Sequence, residues 1–147
     1  MPYTRPLGEL AWKMLTCLPT EPAVEFKIEV TGMDFSGIDP SVAPSGRGCA
    51  QCEEQHGWWF HLRRCAQCGH IGCCDSSPSQ HASVHARVTG YLWITSYEPG
   101  EDWFYDYRSQ RRYEEGPRLA PPEHHPVDQP APGPVGRVPV GWERMLH

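Results

Sequence analysis

The stretch Cys49-Ala-Gln-Cys52, then twelve residues, Cys65-Ala-Gln-Cys68-Gly-His70-Ile-Gly-Cys73-Cys74, then His81-Ala-Ser-Val-His85 decides how this chain is read. Each Cys-x-x-Cys knuckle puts two thiolates on one tight turn, and tetrahedral zinc takes four Cys or His ligands at about 2.0–2.3 Å. Disulfides and a redox pair compete with that reading. A disulfide framework would suit a secreted chain, but the only early apolar stretch, Leu10 to Leu18, is short and broken by Lys13, so no signal peptide is expected. A redox Cys-x-x-Cys opens the helix of a βαβ unit, and neither knuckle has those flanks. The spacing predicts structural zinc.

Length and composition agree. The chain has 147 residues, a formal charge of −5 and a pI near 5.9, and its Lys and Arg residues form no long basic stripe, which argues against nucleic acid as a partner. No apolar run reaches the roughly 20 residues of a membrane helix. A soluble, cytoplasmic monomer with reduced cysteines is expected. The globular part is small enough that a metal would supplement its core.

Three regions are expected: an N-terminal extension at 1–47, a zinc domain at 48–110 and a Pro-rich tail at 111–147. In the first, Val24, Phe26, Ile28 and Val30 alternate with charged residues, predicting a strand at 23–31, and 38–48 reads as a linker. Alternation over 58–64 places Trp58, Phe60 and Leu62 on a core face and Trp59, His61 and Arg63 on the other. Short strands are predicted at 70–73, 91–97 and 103–107, the last two joined by Glu98-Pro99-Gly100. Between them, Ser77-Pro78-Ser79-Gln80 has the form of a helix start, with Ser77 as N-cap and Gln80 completing a capping box, and Gly90 as the stop. On that helix His81 and His85 share a face. From Glu114 onward, proline predicts extended or disordered chain.

The run from Cys65 to Pro78, the His81-x3-His85 pair and Glu98-Pro-Gly-Glu-Asp-Trp103 resemble the UBP-type zinc finger, and its bacterial members in particular. This is the ubiquitin-C-terminus-binding module of some deubiquitinases and a histone deacetylase. The resemblance covers about Gly48 to Arg108. It implies an α+β fold, a small zinc-stabilised antiparallel sheet with one or two helices and cross-braced knuckles. It also implies a first zinc on Cys49, Cys52, Cys73 and His81, and a second on Cys65, Cys68, His85 and position 91. Position 91 is Tyr, whose neutral phenol is a poor zinc ligand. Cys74, His70 or a water would then complete the second site, or the site would stand empty.

The resemblance also implies a peptide groove, in which Trp59 stacks on a terminal diglycine and Trp103 and Tyr105 close over it. Where the family has an arginine for the peptide carboxylate, this chain has Asp75, so ordinary ubiquitin-tail binding is not expected unless Arg63 or His61 substitutes. Core packing is the plainer role for the three aromatics. The leading expectation is a non-enzymatic, zinc-binding module for a protein or peptide terminus. The alternatives are a zinc-thiolate redox switch and a zinc-dependent hydrolase using an open second site. No H-E-x-x-H or H-x-E motif supplies the base that a hydrolase needs.

Overall fold

Among the described residues, a cysteine caps the first helix. In the computed structural model, which describes residues 34–147, Cys49 is the N-cap of α1 (Ala50–Gln55), and its Sγ accepts the Cys52 N–H at 3.4 Å. The helix lasts six residues, then His56 adopts a left-handed conformation and turns the chain into the aromatic stretch. Five short antiparallel strands follow: β1 (Leu62–Cys65), β2 (Ile71–Cys73), β3 (Trp93–Ser96), β4 (Phe104–Asp106) and β5 (Arg111–Tyr113), in the spatial order β2-β1-β3-β4-β5. Helix α2 (His81–Thr89) lies between β2 and β3 in sequence and packs on β2 and β1. A 3-10 turn at Trp142–Met145 ends the regular structure. The fold is thus the small α+β sheet with two helices that the sequence implies. The expected strand at 23–31 lies outside the described residues.

Register explains how so small a sheet carries two knuckles. Leu62 pairs with Cys73 and Arg64 with Ile71, so the β1–β2 hairpin holds Cys65 and Cys68 at its tight connection and Cys73 at its open end. At Gly72 the next element comes close: a Cβ there would lie 2.7 Å from the Ala82 backbone nitrogen and 2.9 Å from its Cα. Glycine lets α2 rest its first turn directly on β2. Gly90 ends α2 in the left-handed conformation, as expected.

The start of α2 differs from expectation. Its N-cap is Gln80, itself left-handed and without a side-chain cap, and the Ser77 hydroxyl instead accepts the Phe60 N–H at 2.9 Å. The serine caps a neighbouring segment because Phe60 precedes β1 and has no strand partner for that N–H.

Parity over 58–64 also breaks. Only Leu62–Cys65 is strand, and Trp59, expected on the open face, is 2% exposed. Trp59 belongs to one buried cluster with Cys49, Cys52, Leu62, Ile71, Cys73 and Tyr97. Its ring fills the space over Gly48, where a Cβ would meet it at 2.5 Å, and Gly133 lies on its nitrogen edge.

That second contact belongs to the Pro-rich segment. Residues 114–141 contain no helix or strand, yet Leu119 and His125 are buried. Trp59 and Gly133 exchange two backbone hydrogen bonds, of 2.8 and 3.0 Å. Arg137 donates to the Gly57 carbonyl and pairs with Glu53. The segment is therefore a strap laid on the domain, and Ser36–His147 form one unit that includes it. The expected boundary at residue 110 falls before β5, which completes the sheet.

Two buried polar groups fasten the strap. Arg64, 1% exposed, donates to the carbonyls of Val42 at 2.7 Å and Pro122 at 3.2 Å. Glu98 accepts the Leu62 N–H at 2.9 Å and lies 3.0 Å from His125 Nε2 and 3.4 Å from His61 Nδ1. Burial opposes its ionisation, but the two imidazoles and the Leu62 N–H hold its carboxyl down to about 2.

Candidate metal centre

Three elements bring the first ligand set together. Cys49 and Cys52 come from the cap and body of α1, Cys73 from the end of β2 and His81 from the start of α2. The Nδ1 of His81 lies 3.2, 3.4 and 3.6 Å from the sulfurs of Cys49, Cys52 and Cys73, and the Cys52 and Cys73 sulfurs are 3.9 Å apart. A tetrahedron with bonds of about 2.3 Å to sulfur and 2.05 Å to nitrogen has edges of about 3.5–3.8 Å, so these spacings fit one zinc ion. All four residues are buried. The backbone N–H groups of Cys52 and His81 donate to the sulfurs of Cys49 and Cys73.

Proton sharing shows why the set calls for a cation. Hydrogen bonds from Cys49 and Cys52 hold the Cys73 thiol down to about 2. The bonds Cys52 shares with Cys49 and Cys73, together with burial, push the Cys52 thiol far up. Three buried sulfurs at this distance cannot all ionise together unless a divalent ion compensates them.

The second set is Cys65 from the end of β1, Cys68 from the β1–β2 connection and His85, one turn after His81 on α2. Cys68 Sγ is 3.3 Å from His85 Nε2, and the three donor atoms lie within 4.8 Å of one another. Cys65 is buried and Cys68 is partly exposed. Neither expected substitute completes this set. Cys74 turns away, its sulfur 3.4 Å from the Ser77 hydroxyl. His70 stacks flat on the His85 ring, with centroids 4.0 Å apart and planes 4° apart, and its Nε2 bonds to Gln51 Oε1 at 2.8 Å. Burial, with His85 and His81 nearby, pulls the His70 imidazole down to about 4, so it stays neutral and orients its neighbour. The Tyr91 ring stands edge-on to His85, with centroids 6.2 Å apart.

Residues 49–116 match the model of zf-UBP, described as "Zn-finger in ubiquitin-hydrolases and other protein". A solved structure agrees over a wider span: the solution NMR structure of Protein RPA1320 from Rhodopseudomonas palustris is 38% identical and superposes with a TM-score of 0.53, covering 66% of this chain and 89% of that one. The chain belongs to the zf-UBP family. No curated protein matches it. The zf-UBP fold here is a zinc-binding module, with one four-ligand set and one three-ligand set for Zn2+. Among the described residues, no helix is long and apolar enough to cross a membrane.

Beside the metal sets, the sheet and α2 enclose a groove of about 950 Å3. His61, Arg63, Asp75, Trp103 and Tyr105 line it, and Trp59 does not. The core position of Trp59 corrects its expected place in the groove. Sequence reasoning missed further groove residues, among them Arg87 on α2, Arg112 on β5 and Tyr107. The guanidinium carbons of Arg63 and Arg112 each lie 4.7 Å from the Trp103 ring centroid. Each such cation–π contact is worth about 0.5–1 kcal/mol at an exposed site. Tyr107 is pushed up by burial and by the nearby Asp75, so its phenol remains a neutral donor. His61 is turned toward Glu98.

Proposed function

We propose that the chain is a non-enzymatic interaction module that holds the end of a protein or peptide in the groove beside α2, with weak affinity for the ordinary ubiquitin tail. The observation that carries this reading is the Trp103 ring with two guanidinium groups each 4.7 Å from its centroid, and Tyr105 in the same groove. A flat, unbranched peptide end can replace one guanidinium on the ring, and the displaced arginine is then free to meet an anionic group on the ligand. Zinc acts here as a cross-brace between α1, β2 and α2. Asp75 works against one ligand class. It is an exposed carboxylate on the groove wall where the family pattern has arginine, so a terminal carboxylate seated beside it meets repulsion.

The test uses the full chain, wild type and Asp75→Arg, titrated with ubiquitin and with ubiquitin lacking its terminal diglycine, followed by tryptophan fluorescence and NMR. Two charges 4 Å apart near a protein surface interact by about 4 kcal/mol before solvent screening, so a sign reversal at an exposed site should raise affinity about tenfold or more. Asp75→Arg should bind in a diglycine-dependent manner, and Trp103→Ala in that background should abolish binding. Tight, diglycine-dependent binding by the wild type would refute the role given to Asp75. No binding by Asp75→Arg would refute the groove.

A further inference from the structure

The second ligand set has three protein donors and a cavity beside it. Among the described residues, no fourth Cys, His, Asp or Glu joins Cys65, Cys68 and His85. A cavity of about 430 Å3 is bordered by Cys68 and Gln67 of the knuckle, by Tyr91 and by the turn from Ser36 to Pro40. The turn is fixed to the knuckle, because the Asp39 N–H donates to the Ala66 carbonyl at 2.9 Å. Its one carboxylate is engaged locally, since Asp39 Oδ1 accepts from the Ser41 N–H at 3.0 Å and the Ser41 hydroxyl at 2.6 Å. Tyr91 forms another wall. The Gly90 turn and the Tyr91 N–H bond to Thr89 Oγ1 at 3.1 Å carry it past the end of α2, edge-on to His85.

We infer that a metal ion on Cys65, Cys68 and His85 keeps one exchangeable coordination position facing this cavity, and that the position takes a small neutral nitrogen donor of the imidazole class. Charge selects the class. Zn2+ with two thiolates and a neutral imidazole is formally uncharged, so a further anion would make the site negative beside the Asp39 carboxylate, whereas a neutral donor leaves it balanced. Size allows it, because a five-membered ring occupies a small part of such a cavity. His70 is excluded as the donor by its stacking on His85 and its bond to Gln51. The inference is independent of the peptide groove, which lies against other residues.

The full chain is loaded with one equivalent of zinc, which fills the four-ligand set, and then with one equivalent of Co2+, whose visible ligand-field bands report the second set. Cys65→Ser, which should lose these bands, confirms the assignment. Free imidazole is then titrated in. The wild type should change its bands with saturation. Tyr91→His, which offers an imidazole from the position just after α2, should show the altered bands beforehand and respond at least about tenfold more weakly, since an intramolecular donor has a high effective concentration. Cys17, which lies outside the described residues, supplies the control: Cys17→Ser should match the wild type. The inference is overturned if the wild type binds no second cobalt or ignores imidazole, if Tyr91→His responds like the wild type, or if Cys17→Ser removes a thiolate charge-transfer band.

Discussion

Replacing Trp59 with alanine separates two roles that the same residue has been given. As a groove residue it would contribute to binding and little to stability. The structure places it in the core, 2% exposed, between Gly48 and Gly133 and among the buried cysteines of the first metal set. A buried tryptophan removes about 150–250 Å2 from water. At about 25 cal/mol per Å2 that is worth about 4–6 kcal/mol, an upper value because unfolded chains already bury some surface. Large-to-small changes at buried tryptophans cost about 3–5 kcal/mol, a substantial part of the roughly 5–15 kcal/mol that stabilises a domain. The backbone bonds between Trp59 and Gly133 survive the substitution, so the measurement isolates the side chain. The assay is urea unfolding of zinc-loaded protein followed by far-UV circular dichroism, with free zinc buffered identically for wild type, Trp59→Ala and Trp103→Ala. Trp59→Ala should lose about 3–5 kcal/mol and Trp103→Ala less than about 1, as expected of a partly exposed side chain. Comparable, small losses for both would refute the core assignment and return Trp59 to the groove.

Metal removal should unfold the domain, because apparent binding energies of structural zinc, about 10–16 kcal/mol, exceed the stability of so small a core. Native circular dichroism and one-dimensional NMR after verified chelation would contradict this. Gly72→Ala should weaken the first metal set, since the new methyl meets the backbone of Ala82 and must push His81 away from Cys73. A loss of about 1–3 kcal/mol is expected, with faster zinc transfer to a competing chelator. Unchanged transfer would show that α2 shifts without disturbing the ligand set.

Legibility in the sequence followed the range of each interaction. The knuckles could be read because two cysteines three residues apart define a turn by themselves, and the shared face of His81 and His85 follows from helical geometry alone. The α2 start misled because the Ser77 hydroxyl serves Phe60, seventeen residues away, and no local pattern carries that information. Parity at Trp59 failed for a related reason. Alternation assigns faces only where the strand is paired, and pairing with β2 begins at Leu62. Helix α1 is six residues long, too short for a periodic signal. Arg112 lines the groove from β5, which the expected Pro-rich tail at 111–147 had included.

The strap also orders events in time. Its anchors join distant positions, as in the bond from Arg137 to the Gly57 carbonyl, 80 residues apart, and closing such loops costs more entropy than forming a knuckle or a hairpin. During synthesis the metal sets can assemble once α2 has emerged, whereas the Trp59 indole waits for Gly133. A nascent chain passes through an interval in which an indole destined for the core is uncovered. In the mature protein the amide hydrogens of Trp59 and Gly133 should exchange as a pair, reporting how often the strap lifts without the zinc-braced sheet opening.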